Sequence, residues 1–178
     1  MLPIVQVGDP VLRATAQPVA VADLPNLAQL ITEMRATMRD APGVGLAAPQ
    51  VGLSLALAVI EDAPELHAGL TPEQLATRER AGVPFHVIIN PKISPIGDER
   101  VVAYEGCLSF KGFVMLVPRF RSVRVEALDE HGTPRVIEAT GWYARILQHE
   151  IDHLNGIVCC DRMDPRTLST TENHGRFD

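Results

Sequence analysis

The sequence has few cysteines, no long apolar run and no cluster of basic residues, and each absence excludes a class of protein. Three cysteines in 178 residues are too few for a disulfide framework. The longest apolar stretch, LSLALAVI from Leu53, is far too short to cross a bilayer. A formal net charge of -6 without a basic run argues against direct nucleic-acid binding.

The N-terminal residues MLPIVQVGDPVLR lack the features of a targeting segment. They show neither the charged-then-apolar layout of a secretory signal nor the Arg- and Ser-rich character of an organellar presequence. We therefore expect a soluble protein without membrane association, located in the bacterial cytoplasm or present as the mature form of an organellar protein.

Composition and length favour one ordinary globular unit. The chain is 46% hydrophobic and 21% charged, which is typical of a protein with a buried core. It has no internal repeat, no low-complexity tract and no shift in composition that marks a linker. Residues 1–178 are therefore expected to form a single domain.

Two helices are predicted, one near each end of the chain. Apolar residues recur at helical spacing over residues 24–38, with Asp23 placed as the N-cap. The second helix runs from about residue 142 to 155 and ends at Gly156, where a left-handed residue commonly closes a helix. A shorter helix is expected over residues 72–81, inside a polar stretch from 61 to 84.

Strands are predicted between these helices. The segments with strand-like length or alternation are LSLALAVI, FHVIIN, VVAYEGCLS, FVMLVP, RSVRVEALD and RVIEAT. GVGLAAPQVG, from Gly43, is expected to be irregular because of its glycines and proline. These elements predict an α+β fold with mainly antiparallel sheets packed around a central C-terminal helix, and with a long amphipathic helix near the N-terminus.

The stretch QHEIDH carries a candidate metal site. His149 and His153 are four residues apart, so a helix places both imidazoles on one face, within reach of one ion. Glu150 lies about 100° round the helix from His149, where it can take a proton from a water molecule whose pKa the metal lowers. The alternative is a solvated helix whose polar residues fall this way by chance.

Cys107 is the candidate third ligand. It follows a glycine at the end of a predicted strand, and a thiolate binds borderline-soft divalent ions strongly. Three protein ligands leave one coordination position for water or substrate. The alternative is that Cys107 is a small buried hydrophobic residue, which is the role we assign to Cys159 and Cys160 because neighbours in a strand point to opposite faces.

The glycine-rich stretch and the residue after Cys107 offer hydrogen-bond donors. The backbone can approach a ligand closely at Gly43 and Gly45, and Gln50 provides a neutral side-chain amide. The backbone N–H of Leu108 is a second donor beside the same ion. Together they predict an oxyanion-binding site, although a glycine-rich turn alone is also an ordinary connection into a strand.

The motifs GVGLAAPQ, EGCLS and QHEIDH, in this order and at this spacing, resemble the three signature motifs of peptide deformylases. The resemblance implies removal of the N-formyl group from the initiator methionine of nascent polypeptides, with release of formate. It also implies that Cys107, His149 and His153 bind the metal, that Glu150 transfers protons, and that Gln50 and the Leu108 amide bind the oxyanion. The implied cofactor is one divalent ion, Fe²⁺ in the cell, with Zn²⁺, Ni²⁺ or Co²⁺ as replacements.

Substrate binding is predicted on both sides of the metal. We expect Trp142 and Ile146, with Val44 opposite, to border an apolar pocket for the methionine side chain; the alternative is that Trp142 and Ile146 are core residues. The peptide backbone is expected to pair like an added strand with the segments 43–45 and 105–106, that is Gly43, Val44, Gly45, Glu105 and Gly106. Asp152 is expected either to fix the helix through an ion pair with an arginine such as Arg119 or to lie on the surface.

Two other functions stay open at this point. An HExxH zinc peptidase has the same helix motif, although a cysteine ligand and the short chain after His153 argue against it. A structural metal site closed by Cys159 or Cys160 is the non-enzymatic alternative. The sequence leaves the oligomeric state open and does not exclude transient contact with a ribosome.

Overall fold

The computed structural model describes residues 1–177, and these residues form two antiparallel sheets and four α-helices, which confirms the predicted α+β fold. The first sheet has the strand order β1 (Gly45–Ala47), β2 (Leu57–Asp62), β3 (Val83–Pro95), β6 (Ser122–Leu128) and β7 (Pro134–Thr140). The second has the order β4 (Arg100–Gly106), β5 (Phe113–Phe120) and β8 (Ser169–Thr170). The helices are α1 (Ala28–Asp40), α2 (Pro72–Thr77), α3 (Gly141–Leu154) and α4 (Thr171–Phe177).

Helix α3 lies at the centre of the fold and contacts strands of both sheets. Most of its residues from Ala144 to Leu154 are buried, including the charged residues Arg145, Glu150 and Asp152. The helix ends before Gly156, which has φ +72°, and a Cβ there would lie 2.6 Å from the Arg13 carbonyl oxygen. The predicted C-terminal helix and its glycine stop are therefore confirmed.

The N-terminal helix is only partly as predicted. Residues Val21–Leu27 form a 3₁₀ helix that contains Pro25, and α1 begins only at Ala28. Asp23 is therefore not its N-cap, because the residue before α1 is Leu27, which makes no side-chain capping bond. Proline has no N–H to donate and so favours a tighter first segment. The apolar face is nevertheless buried as the periodicity predicted, through residues such as Met34 and Met38.

Two other local predictions were wrong. GVGLAAPQVG is not irregular, because it holds β1 and a 3₁₀ helix at Ala48–Val51. Pairing of β1 with β2 satisfies the backbone of this short segment. Helix α2 ends at Thr77 rather than residue 81, and Glu79 has φ +46°, which is incompatible with a continuing right-handed helix.

Each sheet presents one of its edge strands beside α3, where Gly45 of β1 lies against Glu150 and Glu105 of β4 contacts His149. β1 is the edge of the five-stranded sheet, and β4 is the edge of the three-stranded sheet. Both edges line one large cavity, to which α3 contributes the third wall. No helix within residues 1–177 has the length and apolar character that a membrane crossing needs.

Candidate active site

Cys107, His149 and His153 converge at the end of β4. Their ligand atoms all lie within 4.8 Å of one another, and Cys107 Sγ is 3.3 Å from His153 Nε2. The two imidazoles stand one turn apart on α3, with ring centroids 5.0 Å apart. Within residues 1–177 this is the only group of three or more His, Cys, Asp and Glu residues with such spacing.

The donor set fits a divalent transition-metal ion. Glu105 accepts a hydrogen bond from His149 Nδ1 at 2.9 Å, which orients the ring and leaves Nε2 for the ion. Burial lowers the pKa of His149, but the contact with Glu105 outweighs it and raises the pKa to about 9. A cation that binds at Nε2 must therefore displace a proton near neutral pH.

The Cys107 thiol also needs a cation to ionise. Its hydrogen-bonding contact with Cys159, together with burial, raises the pKa of Cys107. Positive charge bound beside the sulfur would favour the thiolate form of Cys107. One sulfur and two nitrogens are ligands that suit zinc, iron, nickel or cobalt rather than magnesium or calcium.

Glu105 belongs to a buried ion-pair network behind the ligands. Its carboxylate accepts hydrogen bonds from Arg119 Nε at 2.9 Å and from an Arg145 guanidinium nitrogen at 2.7 Å. Arg119 also pairs with Asp152, which confirms the predicted contact, and Asp152 pairs with Arg162. Burial works to raise the pKa of Glu105, but its hydrogen bonds from His149 and Arg119 hold it well below its usual range.

Glu150 lies on the other side of the ligand set, against β1. A Cβ on Gly45 would lie 2.3 Å from Glu150 Oε1, so only glycine leaves room for this carboxylate. Its other oxygen, Oε2, is buried and has no hydrogen-bond partner among the described residues. Burial raises the pKa of Glu150 to about 7, so the group can both take up and release a proton near neutral pH.

Gln50 is held so that its amide N–H₂ faces Cys107. Its carbonyl oxygen accepts from the Ala47 backbone N–H at 2.8 Å, which fixes the orientation of the amide. Its Nε2 lies 3.7 Å from Cys107 Sγ and 3.3 Å from Ser109 Oγ. The amide is therefore a fixed, neutral donor beside the candidate metal site.

A cavity of about 950 Å³ opens beside these groups. All of the site residues predicted from the sequence line it except His153, which is fully buried behind the others. The lining includes Gly43, Val44, Gly45, Gln50, Glu105, Gly106, Cys107, Leu108, Trp142, Ile146, His149 and Glu150. The structure thus brings together three segments that are distant in the sequence.

The prediction that Cys159 and Cys160 are neighbours in a strand was wrong. They lie in a 3₁₀ helix, Cys159–Asp161, and not in a strand. Cys159 packs beside Cys107, but it is not among the three residues whose ligand atoms converge.

Two residues of the site received no role from the sequence. Arg145 binds Glu105 and the Val101 carbonyl, and it lies one turn before His149 on the same helix face. Ser109, which is buried, contacts the Gln50 amide. The four-residue spacing of Arg145 and His149 could have predicted that Arg145 lies in the site. For Ser109 the sequence indicated only that it directly follows the EGCL residues.

An HExxH helix, a candidate cysteine ligand just after an edge strand and a buried glutamate are together typical of a metal-dependent hydrolase of the α+β class. The family model for polypeptide deformylase matches residues 1–169, and the chain belongs to that family.

Similar proteins occur in bacteria and in organelles. Peptide deformylase 3 of Streptomyces avermitilis is 49% identical over 173 residues, covering 96% of this chain and 75% of that protein. The mitochondrial peptide deformylase of Homo sapiens is 42% identical over 166 residues, covering 92% and 68%.

A solved structure shares the fold at almost full length. The class I type b peptide deformylase of Acinetobacter baumannii with bound Met-Ala-Ser superposes with a TM-score of 0.81. It is 34% identical and covers 92% of this chain and 98% of that one. The match therefore includes both sheets and the central helix.

Proposed function

We propose that the chain removes the N-formyl group from the initiator methionine of nascent polypeptides, and that Cys107, His149 and His153 hold the catalytic cation. When bound, the cation supplies Lewis acidity, which activates water as a nucleophile near neutral pH and polarises the formyl carbonyl. The observation that carries this assignment is the convergence of one thiol and two imidazoles beside a buried carboxylate in the wall of a large cavity.

Glu150 is the proton-transfer residue. Its carboxylate is buried, and the absence of a side chain at Gly45 keeps it beside the ligand set. With a pKa of about 7, it accepts the proton that the attacking water loses and returns it to the nitrogen of the departing amine. One carboxylate then serves as base and as acid in one turnover.

Gln50 and the Leu108 amide bind the carbonyl oxygen as negative charge develops on it. The bond from Ala47 holds the Gln50 carbonyl away from the site, so that only its N–H₂ group faces the reacting carbonyl. A donor fixed before the reaction needs no reorganisation at the transition state. Neither donor changes its charge during the reaction.

The substrate is bound through its backbone and its first side chain. Val44, Trp142 and Ile146 border the apolar pocket for methionine, and all three line the cavity. The peptide adds as a strand beside Gly43–Gly45 of one sheet edge and Glu105–Gly106 of the other. The Acinetobacter baumannii structure with bound Met-Ala-Ser supports a methionyl peptide as ligand.

The cation in the cell is Fe²⁺, with Zn²⁺, Ni²⁺ or Co²⁺ able to replace it. The sulfur and nitrogen donors accept each of these ions. We further propose that residues 1–178 form one catalytic domain, that the enzyme acts in the bacterial cytoplasm or as a mature organellar form, and that it contacts the ribosome transiently.

Incubation with formyl-Met-Ala-Ser tests the proposed activity. We expect stoichiometric formate and intact Met-Ala-Ser, with one cation per chain by anaerobic metal analysis. Smaller peptide fragments would instead indicate an HExxH endopeptidase. Metal without any hydrolysis would indicate a structural site.

A further inference from the structure

The connection between β2 and β3, residues 63–82, packs against the first residues of helix α3. Glu79 in this connection accepts two hydrogen bonds from the Arg121 guanidinium, at 2.9 and 2.7 Å. Gly141 lies so close that a Cβ there would be 2.4 Å from the Glu79 Cβ. The connection is therefore held at the end of α3 that carries Trp142.

Two arginines of this connection contact the Trp142 ring, and they differ in what else they touch. The Cζ atoms of Arg78 and Arg80 lie 5.4 and 5.2 Å from the ring centroid, which is cation–π distance. Arg80 lines the large cavity together with Trp142, whereas Arg78 is not part of the cavity wall and is exposed.

Asp62, the last residue of β2, fixes Arg80. Both Asp62 oxygens accept hydrogen bonds from the guanidinium at 2.8 Å, and the Asp62 side chain is completely buried. This bidentate pair locks the arginine and compensates its charge. The cavity wall next to Trp142 is therefore a rigid, flat and electrically neutralised surface, which suits an unbranched apolar side chain.

We propose that Arg80 is a specificity-determining residue, which forms the outer wall of the methionine pocket by holding the Trp142 ring in place. This inference rests on the proposed deformylase function. With Arg80 in position, the pocket accepts the slender methionine chain and excludes bulky side chains. Without it, Trp142 loses its arginine contact on the cavity side, keeps the contact with the exposed Arg78, and the pocket widens.

The test compares Arg80→Ala with Arg78→Ala as a matched control. Formate release is measured with formyl-Met-Ala-Ser and with formyl-Phe-Ala-Ser. We expect Arg80→Ala to lower the ratio of kcat/KM for Met over Phe by about tenfold, the size of effect that a misfitting apolar pocket produces. Arg78→Ala should keep the ratio within about twofold, because Arg78 does not line the cavity.

Loss of Arg80 leaves the buried Asp62 carboxylate with only His67, whose Nε2 lies 3.0 Å away, and the weaker compensation of its charge can impair folding. The double variant Arg80→Ala/Asp62→Asn removes that charge and is measured alongside. An unchanged Met/Phe ratio in the folded double variant overturns the inference. Absence of formate release from the unmodified enzyme would instead overturn the proposed function.

Fluorescence gives a readout that is independent of turnover. Trp142 is the only tryptophan in the chain, so emission reports directly on this pocket. Titration with Met-Ala-Ser should change the emission of the unmodified enzyme and of Arg78→Ala at similar concentrations. In the double variant, the emission maximum should move before any ligand is added, and the titration should need about tenfold more peptide. An emission maximum and a titration equal to those of the unmodified enzyme would contradict the role of Arg80.

Discussion

Two arginine–glutamate pairs in this protein have the same length and very different surroundings. Arg119 and Glu105 are 2.9 Å apart, and their side chains are 3% and 4% exposed. Arg124 and Glu138, on strands β6 and β7, are also 2.9 Å apart, but 40% and 64% exposed. Because the nitrogen–oxygen distances are equal, any difference in the free energy that the two pairs contribute comes from how strongly water screens them.

Burial strengthens the interaction between Arg119 and Glu105, which lie beside the candidate metal ligands. Water screens the exposed pair, so it contributes little to stability. The buried pair has no such screening, and Glu105 additionally orients His149. The same reasoning separates Glu150, which is buried beside the ligands, from surface glutamates such as Glu126.

The largest effect is expected for Glu150→Gln. The amide cannot transfer the proton, so kcat should fall by about 10² to 10⁴, the usual contribution of general acid–base catalysis. The cation should remain, because Glu150 is not a ligand. Formate release and metal content are measured together, with Glu126→Gln as the exposed control. Turnover above about a tenth of the normal value would remove Glu150 from the mechanism.

Gln50→Leu tests whether loss of a buried, uncharged hydrogen-bond donor lowers kcat as loss of the Glu150 carboxylate does. We expect kcat to fall by roughly 10² to 10³, the range for loss of one oxyanion donor. KM should change little, since the donor acts mainly in the transition state. A raised KM with normal kcat would show that Gln50 only binds the ground state.

Glu105→Gln tests the comparison between the buried Arg119–Glu105 pair and the exposed Arg124–Glu138 pair. The variant leaves Arg145 without its carboxylate, leaves Arg119 with Asp152 as its one carboxylate partner, and weakens the hydrogen bond that orients His149. We expect a loss of about 3–5 kcal/mol of stability and of about 10- to 100-fold in metal affinity.

Glu138→Gln is the exposed counterpart of that variant, and it should change stability by less than about 1 kcal/mol. Urea unfolding and metal titration measure both variants. Equal effects in the two would mean that burial does not distinguish these pairs.

The pH profile should show an acidic limb from Glu150. Its pKa is raised to about 7 by burial, so below that pH the carboxylate is protonated and cannot act as base. A bound cation lowers this pKa, which places the midpoint at or below about 7. We expect kcat/KM to fall about tenfold per pH unit below the midpoint. In Glu150→Gln the same limb should be absent from the residual rate.

The smallest effects are expected for Cys159→Ser and Cys160→Ser. Neither thiol belongs to the convergent ligand set, so each variant should keep one cation per chain and near-normal formate release. Cys159 contacts Cys107, which makes it the more sensitive of the two. Loss of the cation in Cys159→Ser would favour a closed metal site.

Local sequence signals predicted the elements whose stability is local. The spacing of His149 and His153, the stop at Gly156 and the alternation of β6 are all periodic features, and the structure has them. The start of α1 and the strand in GVGLAAPQVG were missed. At α1 the cap was assigned to Asp23, whereas the segment around Pro25 forms a 3₁₀ helix first. In GVGLAAPQVG glycine and proline suggested irregular structure, whereas pairing with β2 makes part of it a strand.

By itself, the sequence determined which residue types carry the chemistry, because a thiol, two imidazoles at helical spacing and a glutamate keep their chemical character in any fold. Only the tertiary structure decided that Glu105 hydrogen-bonds to His149, that Gly45 makes room for Glu150, and that Arg80 contacts the Trp142 ring. These contacts join residues far apart in the chain. Their geometry depends on how two sheets and one helix pack, and no local pattern encodes it.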